Sequence, residues 1–184
     1  MAGGAKEGLR RVHRGRRILI DIEPLTAEYF VTVAEWLSKP EINQWLTSEW
    51  RDRVIDPTVI AMAVRNKRNR VFLVRSGGKP CGLVALADWD PIDKVAMIWY
   101  ALGDPAAGGR GVISTAVHGL VEVAFHSLGI EALHAWIIDG NERSRRVLEK
   151  NGFREVGRLR RATVHNSRRL DRVYFDLVCQ DHGI

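Results

Sequence analysis

The sequence has little cysteine and no long hydrophobic run. Its 184 residues include only two cysteines, Cys81 and Cys179, which are far apart and lack metal-ligand spacing. A disulfide framework is therefore excluded, and a reduced, cytoplasmic protein without a metal is expected. No apolar run approaches the roughly 20 residues that a membrane helix needs, and the "ILI" at 18–20 is too short for a secretion signal. These absences predict no membrane partner.

The composition that remains is that of a globular domain. Hydrophobic residues make up 46% and charged residues 27%, and 184 residues are enough for one domain with a core. Residues 1–17 carry six basic side chains against Glu7, contain glycine and lack apolar periodicity. We therefore expect a disordered basic tail over 1–17 and a single folded domain over 18–184.

Positive charge is also concentrated inside the expected domain. Residues 142–172 carry eleven basic groups against four acidic ones, so this block has a net charge of +7. The tail contributes +5 to a total of +6, and the rest of the chain is therefore at −6. The basic block needs either an anionic neighbour or a solvated face.

The periodicity of apolar residues predicts a mixed α/β sheet. The predicted order is a strand, helices, three antiparallel strands, a helix, a strand, a helix and two strands. The segment "VAMIWYALG" (95–103) is apolar on both faces, which is typical of a central strand. A helical pattern follows from Val112 to Leu128, and Asn141 opens another helix through Lys150. The sheet is expected to be mostly antiparallel, with one parallel crossover at 95–138.

The stretch "GGRGVISTAV" (108–117) places three glycines between that central strand and the following helix. The first-turn amides of a helix have no partners within the helix, and the helix dipole adds positive potential there. Glycine lets a phosphate approach the backbone without a clash with a Cβ. The stretch therefore predicts an anion site.

Three nucleotide-binding interpretations and a plain turn compete for this stretch. A P-loop needs Gly-Lys-Ser/Thr, but Gly111 is followed by Val112, so the P-loop is rejected. A Rossmann fingerprint needs a glycine where Ser114 stands and an acidic residue after the next strand. Asp139 could serve, but antiparallel strands upstream contradict a doubly wound sheet. A coenzyme A pyrophosphate site and a plain turn stay open.

A second motif favours the coenzyme. The segment "DGNERSRRVLEKNGF" (139–153), taken with the glycine turn upstream, resembles the GNAT N-acetyltransferase superfamily and its Rim-type branch. That branch includes enzymes that acetylate the N-termini of ribosomal proteins. The family signature Asn-x-x-Ser-x-x-x-x-x-x-Gly-Phe is met by Asn141, Ser144, Gly152 and Phe153. The resemblance runs over about 18–178 and is most specific from 95 to 161.

The glycine turn departs from the family pattern Gln/Arg-x-x-Gly-x-Gly/Ala at two positions. Gly108 replaces the usual Gln or Arg, and Ile113 stands where Gly or Ala is usual. The backbone amides of 109–114 still point inward if the side chain of Ile113 turns away into the core.

The resemblance implies a GNAT fold with a splay between its two central strands and acetyl-CoA as the acyl donor. The pantetheine arm is expected to pair with the exposed backbone edge of the 95–103 strand, where one amide serves as the oxyanion donor. No metal is implied. The residues implied to bind the coenzyme are Tyr100, Ala101, Leu102, Gly109, Arg110, Gly111, Val112, Ile113, Ser114, Asn141 and Arg146.

Acetyl transfer also needs a proton for the departing thiolate. Many relatives supply it from a tyrosine on the later helix, but Leu148 stands at that position here. Rim-type enzymes use the serine of the signature, so the resemblance implies that Ser144 is the catalytic residue. The competing interpretation is a helix-surface hydroxyl bonded to its own backbone.

No general base is identified. Three aspartates of the adjoining hairpin are typical turn residues, although they would also suit a cationic acceptor. His134 lies on the splayed strand and could titrate usefully, but a structural role is favoured. The three aspartates are Asp88, Asp90 and Asp93.

The sequence therefore predicts an N-acetyltransferase that moves an acetyl group from acetyl-CoA to a primary amine of a small molecule, a protein N-terminus or a lysine. A monomer or homodimer is expected. One alternative is a degenerate GNAT that binds the coenzyme without turnover. Another is a nucleic-acid-binding module, which is disfavoured because no RNP-like aromatic pair accompanies the arginines in the sequence. That module would use Arg158, Arg160, Arg161, Arg168, Arg169 and Arg172.

Overall fold

One mixed sheet organises the computed structural model, which describes residues 9–12 and 19–182. Its strands are β1 (Leu9–Val12), β2 (Leu19–Pro24), β3 (Arg70–Ser76), β4 (Lys79–Asp90), β5 (Val95–Leu102), β6 (Ala132–Ile138), β7 (Arg154–His165) and β8 (Arg168–Val178). They lie in the order β1-β2-β3-β4-β5-β6-β8-β7. In this part of the chain the pairs are antiparallel except β5 with β6. The predicted fold class, with its one parallel crossover, is confirmed.

The two central strands separate after a short pairing. β5 pairs with β6 only from Val95 to Met97, against Ala132 to His134. β5 then continues to Leu102 along β4, and β6 continues to Ile138 along β8. The splay implied by the family resemblance is therefore present, and it opens on the side where β5 ends.

The helices cover both faces of the sheet. Asp56 caps α3 (Pro57–Arg65), because its Oδ1 accepts from the amide of Thr58 at 2.8 Å. A 3-10 turn separates Thr26 from α1 (Phe30–Ser38), and the Thr26 hydroxyl donates to the Glu28 carboxylate at 3.0 Å. The helices are α1 (Phe30–Ser38), α2 (Pro40–Asn43), α3 (Pro57–Arg65), α4 (Val112–Glu122) and α5 (Glu142–Lys150).

The long helix predicted from Val112 to Leu128 changes its winding before it ends. α4 is followed directly by a π-helical turn over Val123–Ser127, in which the amide of Leu128 donates to the Val123 carbonyl at 3.1 Å. Gly129 then adopts a positive φ of 64° and terminates the helix.

Two apolar clusters hold the helices on the sheet. Successive residues of β4 point to opposite faces, so Leu83 packs in the cluster of α1 and α3, and Val84 in the cluster of α4. Leu120 of α4 and Leu148 of α5 are both fully buried in the second cluster. This packing fixes α4 and α5 on the same face of the sheet, over the splay.

The expectation of a disordered tail is wrong for four residues of 1–17. Leu9–Val12 form β1, which pairs antiparallel with Leu19–Ile22 of β2. A chain that folds back onto β2 satisfies backbone groups that an edge strand leaves unpaired, and this does not require the apolar periodicity on which the expectation depended. Residues 1–8 and 13–17 lie outside the described residues. Among the described helices, none is long and apolar enough to cross a membrane.

Candidate active site

The glycine turn delivers the N-terminus of α4 to the open end of the splay. Gly109 and Gly111 both have φ of +74°, a conformation that favours glycine. A Cβ at either position would meet no atom within 4 Å, so the surrounding space is open. Gly111 is the N-cap of α4 and supplies no side-chain cap. The first helical bond runs from the Thr115 amide to the Gly111 carbonyl at 2.9 Å, which leaves the amides of 112–114 outside the helical ladder.

Ile113 occupies the position where the family usually has Gly or Ala, and its side chain is directed into the core. It is 8% exposed and belongs to the cluster beneath α4. Its Cδ1 lies 3.0 Å from the point where a Cβ on Gly82 would stand. Gly82 thus makes room for Ile113, a complement that sequence reasoning missed. The side chain thus turns into the core, which is the condition under which the backbone of the turn stays accessible.

β5 contributes the second wall. Tyr100, Ala101 and Leu102 pair on one side with Val84, Leu83 and Gly82 of β4. Beyond Met97, no strand within residues 19–182 pairs with the opposite side of β5. Peptide groups on that side are therefore available to an extended ligand that adds to the strand edge.

The hydroxyls of Tyr100 and Ser144 meet across the splay. The Tyr100 Oη lies 2.8 Å from Ser144 Oγ and donates to the Ser144 carbonyl oxygen at 3.0 Å. Burial raises the pKa of Tyr100 above its ordinary value, so the phenol stays protonated at neutral pH. Sequence reasoning assigned Tyr100 only a backbone role. Its contact with Ser144 joins residues 44 positions apart, and no local pattern carries that signal.

α5 is held in a fixed orientation beneath that pair. Asn141 Oδ1 accepts from the amide of Ser144 at 3.2 Å, which confirms that Asn141 opens the helix. At the other end of the helix, the buried Asn151 donates to the Val147 carbonyl at 2.8 Å and to Ser114 Oγ at 3.3 Å. Asn151 therefore connects α5 to the first turn of α4.

The basic residues at the start of α5 divide into two groups. Arg145 is only 17% exposed and is bound by carboxylates, with its Nη1 at 2.8 Å from Glu155. Hydrogen bonds from Arg145 and then Arg158 lower the pKa of Glu155. Arg143 and Arg146 are exposed, and Arg146 bonds only to the Glu142 carbonyl of its own helix at 3.2 Å among the contacts of the described residues. Arg146 and Arg143 thus remain accessible to an anion.

The turn arginine lies back on its own loop. The Arg110 guanidinium contacts the Ala106 carbonyl in the 3-10 turn Pro105–Ala107 that precedes the glycines. Arg110 is exposed, and this contact holds its positive charge beside the glycine turn.

Among the candidate bases, Asp90 has the turn role favoured from the sequence. Asp90 Oδ1 accepts from the amides of Ile92 and Asp93, and the Asp93 bond contributes most to the lowered pKa of Asp90. Burial lowers the pKa of His134 despite an opposing effect of Asp88, so the imidazole is neutral at pH 7. His134 lies at the last pairing between the central strands, opposite Met97.

The other side of β5 faces α1. Gly103 follows the strand, and a Cβ there would lie 2.0 Å from Cδ2 of Trp36, so the indole packs directly on this peptide. Lys39 Nζ also donates to the Gly103 carbonyl at 3.0 Å. Trp36 is buried in the core of the α1 face, and Trp50 and Trp99 make an edge contact nearby with ring centroids 6.2 Å apart.

Comparison with known protein families identifies the family of this chain. The acetyltransferase (GNAT) domain family matches residues 20–154, which is well over half of the chain. The chain belongs to the GNAT family. The match contains the splay, the glycine turn and α5, and the family resemblance stated from the sequence motifs is confirmed.

Curated relatives support the Rim-type branch for this GNAT protein. A protein of Bacillus subtilis (strain 168) that is provisionally named ribosomal N-acetyltransferase YdaF is 33% identical over 101 residues, which are 55% of this chain and 55% of the relative. The probable N-acetyltransferase YjcK of the same organism is 41% identical over 64 residues, or 35% of each chain. The alignments thus span about half and a third of these relatives' lengths.

Solved structures share the fold over nearly the whole GNAT protein. The spermidine N-acetyltransferase of Vibrio cholerae, in complex with CoA and spermine, has a TM-score of 0.80 at 16% identity and covers 90% of this chain and 98% of its own. RimL, the ribosomal L7/L12 alpha-N-protein acetyltransferase in complex with coenzyme A, has a TM-score of 0.75 at 18% identity, with coverage of 89% and 95%. At these identities the likeness concerns the fold.

Proposed function

We propose that this GNAT protein is an acetyl-CoA-dependent N-acetyltransferase that acts on a primary amine. The main observation in support is that two sets of backbone groups without intrachain partners among the described residues lie close together at the splay. One is the uncapped N-terminus of α4 behind two left-handed glycines, and the other is the unpaired side of β5. A diphosphate and an extended amide-containing arm are the chemical groups that these two surfaces suit.

The residues fit acetyl-CoA group by group. Amides of the turn from Gly109 to Ser114 would bind the pyrophosphate, because those of 112–114 are unsatisfied within the helix. Among the described residues, no atom lies within 4 Å of the Cβ positions at Gly109 and Gly111. The 100–102 edge would hold the pantetheine arm. Asn141 would orient the start of α5, and the exposed Arg146 would neutralise negative charge at the adenosine end. Arg110 adds a positive charge at the turn.

Bound acetyl-CoA supplies a thioester acetyl group to a direct transfer. The amine nitrogen forms the C–N bond while the C–S bond breaks, the amine releases one proton and the thiolate gains one. A backbone amide of β5 would stabilise the developing oxyanion at the splay. No general base is assigned, and the amine proton would be released through water.

Ser144 is proposed as the proton donor to the thiolate. Its hydroxyl is the polar group that α5 presents to β5 at the splay, and Leu148, at the position of the family tyrosine, is fully buried in the core. Tyr100 would support Ser144 because its protonated hydroxyl, which donates to the Ser144 carbonyl oxygen, also lies 2.8 Å from Ser144 Oγ. Its one proton would turn from the carbonyl oxygen to Oγ as negative charge develops there.

The acceptor class is proposed from chemistry shared by the structural neighbours. Their names identify a polyamine and the α-amine of a ribosomal protein as substrates, and both are cationic amines. Outside the two basic segments this chain carries a net charge of −6, which suits a cation. A cytoplasmic location, where acetyl-CoA and such acceptors are found together, belongs to the same proposal.

An acceptor panel with a free-thiol readout tests the function. Spermidine, free lysine and short peptides with a free N-terminus are each incubated with acetyl-CoA, and thiol release is compared with an acceptor-free control. We expect release above that control with at least one amine. Binding of acetyl-CoA without release from any amine would favour a degenerate GNAT, and no binding at millimolar coenzyme would contradict the proposal.

The protein's own thiols set the background of that assay. Burial raises the pKa of Cys81 to about 11, so its thiol is unreactive in the folded state. Cys179 is partly exposed and will react. A Cys179→Ser variant removes this background and leaves the splay unchanged.

A further inference from the structure

A second cluster of polar side chains lies at the opposite end of α4 from the glycine turn. His118 and Glu122 are one helical turn apart, and the 3-10 turn Cys179–His182 brings His182 against them. His182 Nε2 lies 2.9 Å from Glu122 Oε1, and the ring centroids of His118 and His182 are 5.8 Å apart. One ligand atom from each of the three residues lies within 4.8 Å of the other two.

The three side chains offer a ligand set that suits a divalent transition metal. Two imidazole nitrogens and one carboxylate oxygen form a His₂Glu set, which binds zinc with the fourth position open. Zinc–ligand bonds of about 2.0–2.2 Å place tetrahedral ligands about 3.3 Å apart, so the cluster needs to close by about 1.5 Å at its widest. Rotation of the long Glu122 and of the imidazoles is sufficient for this movement.

The surroundings of the cluster would hold its ligands in place. The side chain of His182 is 14% exposed and that of Glu122 is 27% exposed, so a bound ion would be partly shielded from water. His126 Nε2 lies 3.6 Å from Glu122 Oε2, the oxygen that does not face His182. This contact orients the carboxylate so that one oxygen remains directed at the two histidines.

The cluster is separate from the acetyl-transfer site. Glu122 follows Gly111 by eleven residues, which corresponds to about 16 Å along a helix. The C-terminal turn that carries His182 is otherwise held by an ion pair between Asp181 and Arg154 at 3.3 Å and by the contact of His182 with Phe125, with ring centroids 5.6 Å apart. An ion at this position would crosslink the C-terminal turn to α4.

We propose that His118, Glu122 and His182 bind one zinc-class divalent ion, which fixes the C-terminal turn on α4. This differs from the sequence prediction of a protein without a metal, because that prediction rested on cysteine spacing and on the acetyl-transfer chemistry. His118 and His182 are 64 positions apart, and only the fold brings them together. The inference does not depend on the proposed acetyltransferase activity.

Titration of the full-length, tag-free protein with Zn²⁺ after removal of metal by a chelator tests the site. Calorimetry is expected to give one ion per chain, and the melting temperature is expected to rise by several degrees at a hundredfold excess over the dissociation constant. Co²⁺ is expected to show the visible absorption of a tetrahedral site. Absence of binding at about 100 µM Zn²⁺, far above the dissociation constants of structural zinc sites, would leave only a hydrogen-bonded cluster and overturn the proposal.

Variants locate the ion. Glu122→Gln and His182→Gln are each expected to abolish the thermal shift and the Co²⁺ spectrum, whereas His126→Gln is expected to weaken binding by about tenfold through the orientation of Glu122. His134→Gln is the matched control, since it removes a histidine of β6 that is not one of the three clustered residues. Circular dichroism verifies that each variant is folded. Unchanged binding in both Glu122→Gln and His182→Gln would show that the ion binds elsewhere and contradict the assignment.

Discussion

The N-terminal ends of α4 and α5 lie on the same face of the sheet but are built in opposite ways. α4 begins at Gly111, which has φ of +74° and offers no side-chain cap, and its first turn contains no acidic residue. α5 begins at Asn141, whose side chain accepts from the Ser144 amide, and Glu142 stands in its first turn. The positive end of α5 is thus satisfied within the chain, while that of α4 is left for a ligand.

The difference indicates that two helix N-termini in the same fold have different roles. An uncapped helix start provides amides that bind an anion, at a cost in the stability of the helix. A capped start fixes the direction of the helix and with it the direction of a side chain such as Ser144. Substitutions at the start of α4 should therefore affect the binding of acetyl-CoA, whereas those at the start of α5 should affect the turnover rate or the stability of the protein.

The largest effect is expected for Gly111→Glu, which should abolish stabilisation by acetyl-CoA. The substitution places a side chain and a negative charge where the pyrophosphate would lie. At a hundredfold excess over its dissociation constant, the coenzyme stabilises the native protein by about 2.7 kcal/mol, and the variant should gain none of this in a thermal-shift measurement.

Gly77→Glu is the matched control for that variant. Gly77 also has a positive φ, of 58°, and its Cβ direction is likewise open, but it lies in the β3–β4 turn. Both variants carry the strain of a left-handed non-glycine residue, about 1–2 kcal/mol, and only Gly77→Glu should keep the response to coenzyme. An equal response in the two variants would place the phosphate site away from α4.

Ser144→Ala is expected to lower turnover by about 10²-fold with little change in the affinity for acetyl-CoA. Donation to the thiolate develops only as charge develops, so its loss appears in the rate and not in ground-state binding. Steady-state kinetics with a saturating acceptor, together with calorimetry of coenzyme binding, provides both quantities. Ser127→Ala, at an exposed serine in the π-helical turn, should match the wild type. Equal turnover in Ser144→Ala and Ser127→Ala would remove Ser144 from the mechanism.

Tyr100→Phe should lower turnover by about tenfold, since it removes one hydrogen bond, or about 1.4 kcal/mol, from the oxygen of Ser144. The ring and its packing remain. Burial raises the pKa of Tyr100 above its ordinary value of about 10, so the phenol stays protonated as the pH rises. Turnover of the wild type should therefore show no loss from ionisation of Tyr100 between about pH 8 and 10. A pH–rate profile of the two proteins measures this. A fall that is present in the wild type and absent in Tyr100→Phe would contradict the assignment.

The smallest effect is expected for Asn141→Ala, which should reduce the free energy of unfolding by about 1 kcal/mol through the lost cap of α5. Asn141→Asp retains an acceptor at the N-cap and should be nearly as stable as the wild type. Denaturant unfolding of both variants measures the difference. If Asn141→Ala removed the response to coenzyme as completely as Gly111→Glu, the two helix starts would have the same role and the comparison would fail.

Local patterns were enough to predict the order of the elements from β2 onward and the position of the turn. Apolar periodicity located β5 and α4, and the three glycines of 108–111 located the turn between them. The sequence allowed an inward direction for Ile113, and the structure shows it, because a large apolar side chain is more stable in the core than in water.

Contacts between side chains distant in sequence were not predictable. The bond of Tyr100 with Ser144 and that of Asn151 with Ser114 depend on how α5 packs across the splay, and no period or motif encodes a rotamer in that setting. The pairing of Leu9–Val12 with β2 escaped notice for a related reason. Backbone hydrogen bonds at a sheet edge require little from side chains, so a basic segment without apolar alternation still forms a strand.

The contact of Trp36 with Gly103 has a consequence for how this protein would acquire a new acceptor. The Trp36 indole of α1 lies directly on the peptide of Gly103, which has no side chain of its own, and Lys39 at the end of α1 donates to the Gly103 carbonyl oxygen. α1 and the end of β5 are therefore in direct contact at this point. A shift of α1 would also move β5, the strand that would hold the thioester. Adaptation to a larger or smaller amine is therefore expected through substitutions of side chains, with the backbones of α1 and β5 kept in place.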